Sequence, residues 1–147
     1  VAQSTESSTR IAASPPEVLD VIAELGDYPS WAGGISSVEV LQEEDGWPTR
    51  ARFVVNQPPI KDSYVLEYTW DVEESGEGLI SWTLAEPGSM ISKLDGSYRL
   101  SADGQATTVV YRLAVDLSIP MPGMLKRKAE RTIVSTALSD LTKQVLR

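Results

Sequence analysis

Residues 63–73 read SYVLEYTWDVE, and their alternation is the strongest structural signal in the chain. Tyr64, Leu66, Tyr68, Trp70 and Val72 fall on one side of an extended backbone, with Ser63, Glu67, Thr69, Asp71 and Glu73 on the other. A period of two with one apolar side marks a strand in a sheet that is wet on one face only. The sheltered face is rich in aromatic residues. Trp82, Tyr98 and Tyr111 repeat the choice further on, each with aliphatic residues two positions away.

Working outward, strand patterns run over residues 35–43, 49–56, 61–74, 78–85, 90–101 and 107–117. The breaks between them carry turn chemistry: Asp45 with Gly46, Pro58 with Pro59, residues 75–78, Pro87 with Gly88, and Asp103 with Gly104. Connections this short join antiparallel neighbours, so a continuous six-stranded meander is expected. Upstream, residues 5–12 read as a first strand. Ser14, Pro15, Pro16 and Glu17 then form a helix start, with a serine cap, proline in the first turn and a glutamate placed to complete a capping box. Val18, Leu19, Val21, Ile22 and Leu25 give that helix its apolar side, and Gly26 stops it. Residues 27–31 suggest a second short helical turn, closed by Gly33 and Gly34. A segment rich in Pro and Met, residues 119–124, leads into a long helix from about Leu125 to the end. Its expected inner stripe is Leu125, Ala129, Thr132, Ile133, Thr136, Ala137, Leu141 and Val145.

Composition removes whole classes of chemistry. The 147 residues suit one domain spanning 1–147, and a chain of that size buries roughly two thirds of the surface its unfolded form exposes. There is no cysteine and no histidine, which excludes disulfides, thiolate nucleophiles, histidine triads and the usual general base near neutral pH. No metal-ligand spacing, phosphate loop or dinucleotide fingerprint occurs, so neither a metal nor another cofactor is expected, and no catalytic residue is assigned. A formal charge of −8 argues against a nucleic-acid partner. Residues 1–10 lack an apolar signal core and no run is long enough to cross a bilayer, so a cytoplasmic protein is the expectation.

Particular residues then connect the chain to a family. Ser14, Pro15, Glu17 and Val18, followed by Asp27, Tyr28, Pro29 and Trp31, form one block. Gly96 and Tyr98 before Asp103, Gly104, Thr107 and Val109 form another, and Pro120, Pro122 and Gly123 with residues 125–131 and 137–141 a third. Together these resemble the START-like (SRPBCC) polyketide cyclase/dehydrase and lipid-transport family, over nearly the whole chain. The resemblance implies an α+β helix-grip fold: a curved antiparallel sheet of about seven strands wrapped around a long C-terminal helix, with two short helices after the first strand. It also implies a START-like ligand-binding domain whose partner is a small hydrophobic molecule. One departure matters. The family's plant branch carries a multi-glycine loop between its second and third strands, where this chain has only Asp45 and Gly46, so phosphate-loop behaviour is not carried over.

The alternation places Val38, Val40, Ala51, Phe53, Val55, Leu66, Tyr68, Trp70, Ile80, Trp82, Leu84, Leu94, Tyr98, Leu100, Val109, Tyr111, Leu113 and Val115 on the concave face. One reading has them simply pack on the terminal helix. The other notes that the helix stripe is built largely of small residues and that Ser92 and Gly96 are expected to face inward, so that small residues oppose small ones. On that reading a cavity on the order of 300–1,000 Å³ remains. The candidate ligand-binding residues are Phe53, Leu66, Tyr68, Trp70, Trp82, Leu94, Tyr98, Tyr111, Thr132 and Thr136. The hydroxyls of Tyr64, Tyr68, Tyr98 and Tyr111 each need a partner when buried, supplied by Thr132 and Thr136 or by a ligand. Asp140 reads either as a solvent-facing residue at the margin of the stripe or as a carboxylate entering the cavity.

Lys126, Arg127, Lys128 and Arg131 crowd the first turns of the last helix, where the helix dipole is already positive. They read either as a solvated face paired with acidic residues or, with Met121, Met124, Lys126 and Arg127 as its centre, as a portal or a peripheral contact with an anionic membrane. Three functional readings follow: binding or transport of a lipid, polyketide or isoprenoid; a cyclase or dehydratase acting in the same cavity; and an interaction module with a filled core.

Overall fold

In β4 (Ile60–Val72) the buried side chains are Ile60, Asp62, Tyr64, Val65, Leu66 and Tyr68, while Lys61, Ser63, Glu67, Thr69 and Asp71 lie in solvent. The half-wet alternation is therefore real, and it organises the whole sheet. The computed structural model describes residues 4–58 and 60–147. The second residue of the Pro58-Pro59 turn and the first three positions of the polar N-terminal stretch lie outside the described residues.

Around β4 the chain forms β1 (Thr5–Ile11), α1 (Pro15–Ala23), a 3-10 turn (Leu25–Asp27), α2 (Tyr28–Trp31), β2 (Ile35–Glu44), β3 (Trp47–Gln57), β5 (Gly78–Glu86), β6 (Ile91–Asp103), β7 (Ala106–Leu117) and α3 (Gly123–Val145). The seven strands lie in the order β1-β7-β6-β5-β4-β3-β2, all neighbours antiparallel. The expected meander is β2 to β7, and β1 closes it by pairing with β7, Thr5 opposite Leu113 and Ile11 opposite Thr107. This is the expected α+β helix-grip architecture.

Local chemistry accounts for the connections. Asp45 (φ 53°) and Gly46 (φ 85°) both take the left-handed conformation of a two-residue hairpin turn, which matches the right-handed twist of the strands it joins. At the start of α1 the Ser14 amide and hydroxyl both donate to Glu17 Oε1, at 3.2 and 2.9 Å, so the glutamate reaches back as in a capping box.

Two expectations about which side chains point inward are corrected. Ser92 is exposed and its hydroxyl donates to the Asp116 carbonyl at 3.2 Å. The register between β6 and β7 slips between Ile91 and Lys93, so a bulge puts Ile91 on the inner face in place of Ser92. Val40, expected on the concave face, is exposed together with Leu41, because β2 is an edge strand.

The third correction concerns α3. Its buried residues are Glu130, Val134, Leu138 and Leu141, with Ile133, Ala137 and Val145 partly buried beside them. Ile133, Ala137, Leu141 and Val145 thus lie on the buried side as expected, while Glu130, Val134 and Leu138 anchor the helix in place of the exposed Leu125 and Thr132, so the stripe is turned toward them. The turn has a cause: α3 packs on β1, β7 and α1, at one end of the sheet. Glu130, only 4% exposed, fixes that position. Its Oε1 accepts from Thr5 Oγ1 at 3.0 Å and its Oε2 from the Val115 amide at 2.9 Å, tying α3 to β1 and β7 at once.

Removing that carboxylate strands a buried amide and a hydroxyl, at a cost of about 1–3 kcal/mol. Glu130→Ala is therefore expected to lower the unfolding free energy by that amount, seen as a lower urea midpoint, and an unchanged midpoint would remove Glu130 from its role as the clamp.

Candidate functional site

Because α3 sits over the β1–β7 end, the strip of helix facing the centre of the sheet is the flank carrying Ile133, Thr136, Ala137 and Asp140. Opposite it the sheet curves away, and between them lies a cavity of about 150 Å³. Its walls are the rings of Phe53, Tyr64, Tyr68, Trp82, Tyr98 and Tyr111, with Tyr28 and Trp31 at one side and Leu66, Leu94, Leu113 and Val115 filling between. The volume falls below the expected range, and Gly96 shows why. Trp82 pairs with Gly96 across β5 and β6 and lays its indole where a side chain on that glycine would stand. Bulk from one strand fills the gap left by the next. A cavity of roughly 150 Å³ accommodates a benzene-sized body.

The rings hold one another. Tyr98 and Tyr111 meet edge to face with centroids 4.7 Å apart, and Trp82 touches both at 5.4 and 5.7 Å. Tyr68 lies 5.6 Å from Trp82 and stacks 6.4 Å from Phe53. Such pairs fix ring orientation beyond simple area burial.

Polar atoms are few and their pairing is uneven. Tyr28 donates its hydroxyl to the Ile22 carbonyl. The hydroxyls of Tyr64, Tyr68, Tyr98 and Tyr111 make no hydrogen bond to any described residue, yet Thr49 Oγ1 is the side-chain oxygen that is both sealed and unpartnered among the described residues. The four phenols are therefore accessible from the cavity that they line. Burial pushes all four above the ordinary tyrosine value of 10.0, with neighbouring tyrosines adding to the effect at Tyr64, Tyr68 and Tyr98. At neutral pH they are protonated hydrogen-bond donors.

The mouth is built from the α2–β2 connection. Gly33 donates its amide to Asp140 Oδ2 at 2.8 Å, and the Gly34 carbonyl accepts from the Asn56 amide at 2.7 Å. Gly34 has φ 88°, and a side chain there would collide with Gln57, so this turn must be glycine to lie between α3 and β3. Asp140, weighed in the sequence as solvent-facing or cavity-entering, lines the cavity at this mouth. At the other end, a shallow groove of about 290 Å³ runs beneath the first half of α3, lined by Pro58, Met121, Leu125, Lys128, Ala129 and Thr132. Gln57, Ile60 and Ile133 border both spaces.

Of the candidate ligand-binding residues, Phe53, Leu66, Tyr68, Trp82, Leu94, Tyr98, Tyr111 and Thr136 lie together around the cavity. Trp70 does not: its indole stacks on Trp47 at 5.0 Å and donates to the Pro48 carbonyl at 2.6 Å, which pulls it to the end of the sheet. Thr132 does not either. It is exposed, lines the groove, and returns its hydroxyl to the Lys128 carbonyl at 3.0 Å, so it is no partner for the tyrosines. Met121 lines the groove, Met124 is 80% exposed, Arg127 is exposed, and Lys126 pairs with Asp116.

Sequence reasoning missed Asp62, a charged residue in the apolar phase of β4. Its Oδ1 accepts from the Ser63 and Ser89 amides at 2.9 and 2.8 Å, and its Oδ2 from the Met90 and Ile91 amides at 3.0 and 2.8 Å. The carboxylate thereby ties the β5–β6 loop to β4, beside the cavity residues Ile60, Tyr64 and Ile91.

The class of protein this geometry defines is a helix-grip domain enclosing an apolar pocket. Residues 11–142 match the family described as polyketide cyclase / dehydrase and lipid transport, and the chain belongs to it. A START superfamily protein from Mycobacterium smegmatis superposes with a TM-score of 0.87 at 19% identity, covering 97% of this chain and 96% of that one. A protein from Thermus thermophilus gives 0.79 at 24% identity, covering 98% and 97%. The Zhui aromatase/cyclase from a Streptomyces species gives 0.75 at 16% identity, covering 100% and 95%. At these identities the likeness is one of fold. No curated protein matches the chain by sequence. Family and fold are those of domains that take hydrophobic ligands, and no helix among the described residues is long and apolar enough to cross a membrane.

Asp62 gives the site a pH dependence. Burial would raise its pKa, but amide donors from Ile91, Ser89, Met90 and Ser63 outweigh burial and hold it below the ordinary 3.8. A lowered folded-state pKa contributes stability that is present above the unfolded value and lost as pH falls through the folded one. Asp62→Asn should therefore be less stable than the native chain at pH 7, with the gap closing in acid below about pH 4. Urea titrations at several pH values check this, and a gap that persists unchanged at pH 2 would refute it.

Proposed function

We propose that the domain binds or carries a small hydrophobic or amphipathic molecule bearing oxygen acceptors, with one ring-sized portion in the interlayer cavity. The observation that carries this reading is the set of four tyrosine hydroxyls that face an apolar cavity without protein partners. Donors left unpaired in such a place cost stability unless something accepts from them. A carbonyl or hydroxyl on an apolar body meets that need, and the surrounding rings supply affinity through area removed from water. The family to which the chain belongs supports the reading. A body larger than one ring extends past Gln57, Ile60 and Ile133 into the groove under α3.

Native mass spectrometry of the purified chain, followed by titration with lipid and polyketide panels, tests the proposal, and no binding across both panels ends it. For a bound oxygenated ligand, Tyr98→Phe or Tyr111→Phe should weaken affinity about threefold to tenfold, the range set by one neutral hydrogen bond. Both variants keep the ring and so leave the packing intact. Affinity unchanged in both would mean that the phenols do not orient the ligand.

A cyclase or dehydratase reading uses the same cavity, and the fold likeness to an aromatase/cyclase favours keeping it. The protonated phenols would act as acids, leaving Asp140 as the one carboxylate at hand for a base. The approach to the cavity also suggests where cargo is exchanged. Ile119, Met124 and Leu125 are 56%, 80% and 54% exposed, next to the exposed Arg127, Lys128 and Arg131. Apolar groups rimmed by cations suit an anionic bilayer surface. The chain should co-sediment with phosphatidylserine vesicles at low salt, less so at 0.5 M salt or with neutral vesicles, and Met124→Asp with Leu125→Asp should abolish it. Equal sedimentation with neutral vesicles, or none at all, would dismiss membrane docking.

A further inference from the structure

Eight aromatic rings wall the cavity, yet no Lys or Arg side chain lines it, and its one formal charge is Asp140. Residues 1–3 and Pro59 carry no basic side chain that would alter this balance. The faces of aromatic rings present negative potential, which attracts a cation and repels an anion. Asp140 adds to that field from the mouth. Its Oδ2 accepts from Gly33, its Oδ1 has no partner among the described residues, and it forms no ion pair with Lys143 or Arg147. It lines the same cavity as Tyr98, and after burial and the tyrosines Tyr111 and Tyr68 its charge adds to what raises that phenol above the ordinary tyrosine value. The side chain is thus a half-buried carboxylate, oriented by a backbone amide, with one oxygen unpaired among the described residues.

We propose that the cavity selects a ligand carrying a protonated amine, with the apolar body among the aromatic faces and the ammonium at Asp140, and that it discriminates against carboxylate and phosphate heads. The proposal rests on the hosting reading above and specifies the charge of the guest. A carboxylate drawn into this space could accept from the tyrosine hydroxyls but would meet the Asp140 carboxylate with no cation to compensate. An ammonium would exchange its hydration for a carboxylate oxygen of opposite charge. The cation that lines the groove, Lys128, is twelve residues from Asp140 along α3, about 18 Å. An anionic head is served there, outside the cavity, and not within it. The overall charge of −8 favours approach of a cation from solution as well.

Three probes of one ring size separate the possibilities: benzylamine, benzyl alcohol and phenylacetate, titrated at pH 7 by protein-detected NMR. The expected order of affinity is amine, then alcohol, then carboxylate, with the amine at least about tenfold tighter than the carboxylate. Asp140→Asn, whose amide oxygen still accepts from Gly33, should bring the amine down to the level of the alcohol. A carboxylate that binds as tightly as the amine, or an amine preference that survives Asp140→Asn, overturns the inference while the hosting reading stands. Failure of all three probes to shift any cavity resonance overturns the hosting reading and this inference with it.

Discussion

Every aromatic side chain in the protein belongs to one contact network. The four Trp, five Tyr and single Phe connect without a break, from Trp31 through Tyr28 and Phe53 to Tyr68, and from there both to Trp82, Tyr98 and Tyr111 and to Trp70 and Trp47. This network spans five of the seven strands and α2. A sheet whose inner face carries rings on adjacent strands cannot let an helix lie flush along its centre, because edge-to-face contacts between neighbouring rings already occupy the layer next to the backbone. The position of α3 follows from that constraint.

The helix settles where the sheet face is aliphatic. The helix packs on β1, β7 and α1, its Val134, Leu138 and Leu141 joining the same buried core as Ile11, Val18, Ile22 and Val109, and Glu130 closes the joint with two hydrogen bonds. The cavity is what this offset leaves: aromatic on the sheet side, small and weakly polar on the helix side with Ala137, Thr136 and Asp140. Two carboxylates frame it as structural ties. Glu130 holds the helix down at one end and Asp62 holds the β5–β6 loop across the open end of the sheet. Both are buried carboxyl groups that accept hydrogen bonds from neighbouring protein donors, which is the condition under which such groups are tolerated in an interior.

The strands were legible because a half-wet antiparallel sheet writes its geometry as a period of two, and Tyr64, Leu66 and Tyr68 against Ser63, Glu67 and Thr69 carry that period, with one break at the buried Val65, where the pairing with β5 shifts register. The defects are where legibility failed. Ser92 was assigned inward by counting from Leu94, and a single bulged residue inverts the count. The phase of α3 was misread because its anchoring stripe begins with Glu130, a residue type that periodicity arguments assign to solvent. Without it Val134 and Leu138 lose their partner and a stripe of Thr and Ala looks better. Asp62 was passed over for the same reason. Trp70 kept its place in the alternation, yet strand twist carries that end of β4 away from the helix, toward Trp47. The sequence therefore revealed most of the inward residues of the strands, and the structure was needed to place the bulges, the phase of α3 and which inward residues share one space.

That distinction bears on what kind of guest the fold can hold. The enclosed space is short, and its contents are asymmetric: donors of tyrosine hydroxyls along the sheet, a carboxylate at the α2 mouth, and a lysine beyond Ile133 at the groove end. A purely aliphatic molecule would gain from the rings but leave the phenols unpaired, whereas a molecule with polar groups spaced along an apolar body would satisfy several of them at once. The mouth glycines guard the same divide, since any side chain at Gly34 would displace Gln57, one of the three residues bordering both cavity and groove. On the proposed reading, length, polarity and charge of the guest would be set by separate parts of the structure: the divide at Gln57, Ile60 and Ile133, the tyrosines of β4, β6 and β7, and the carboxylate of Asp140.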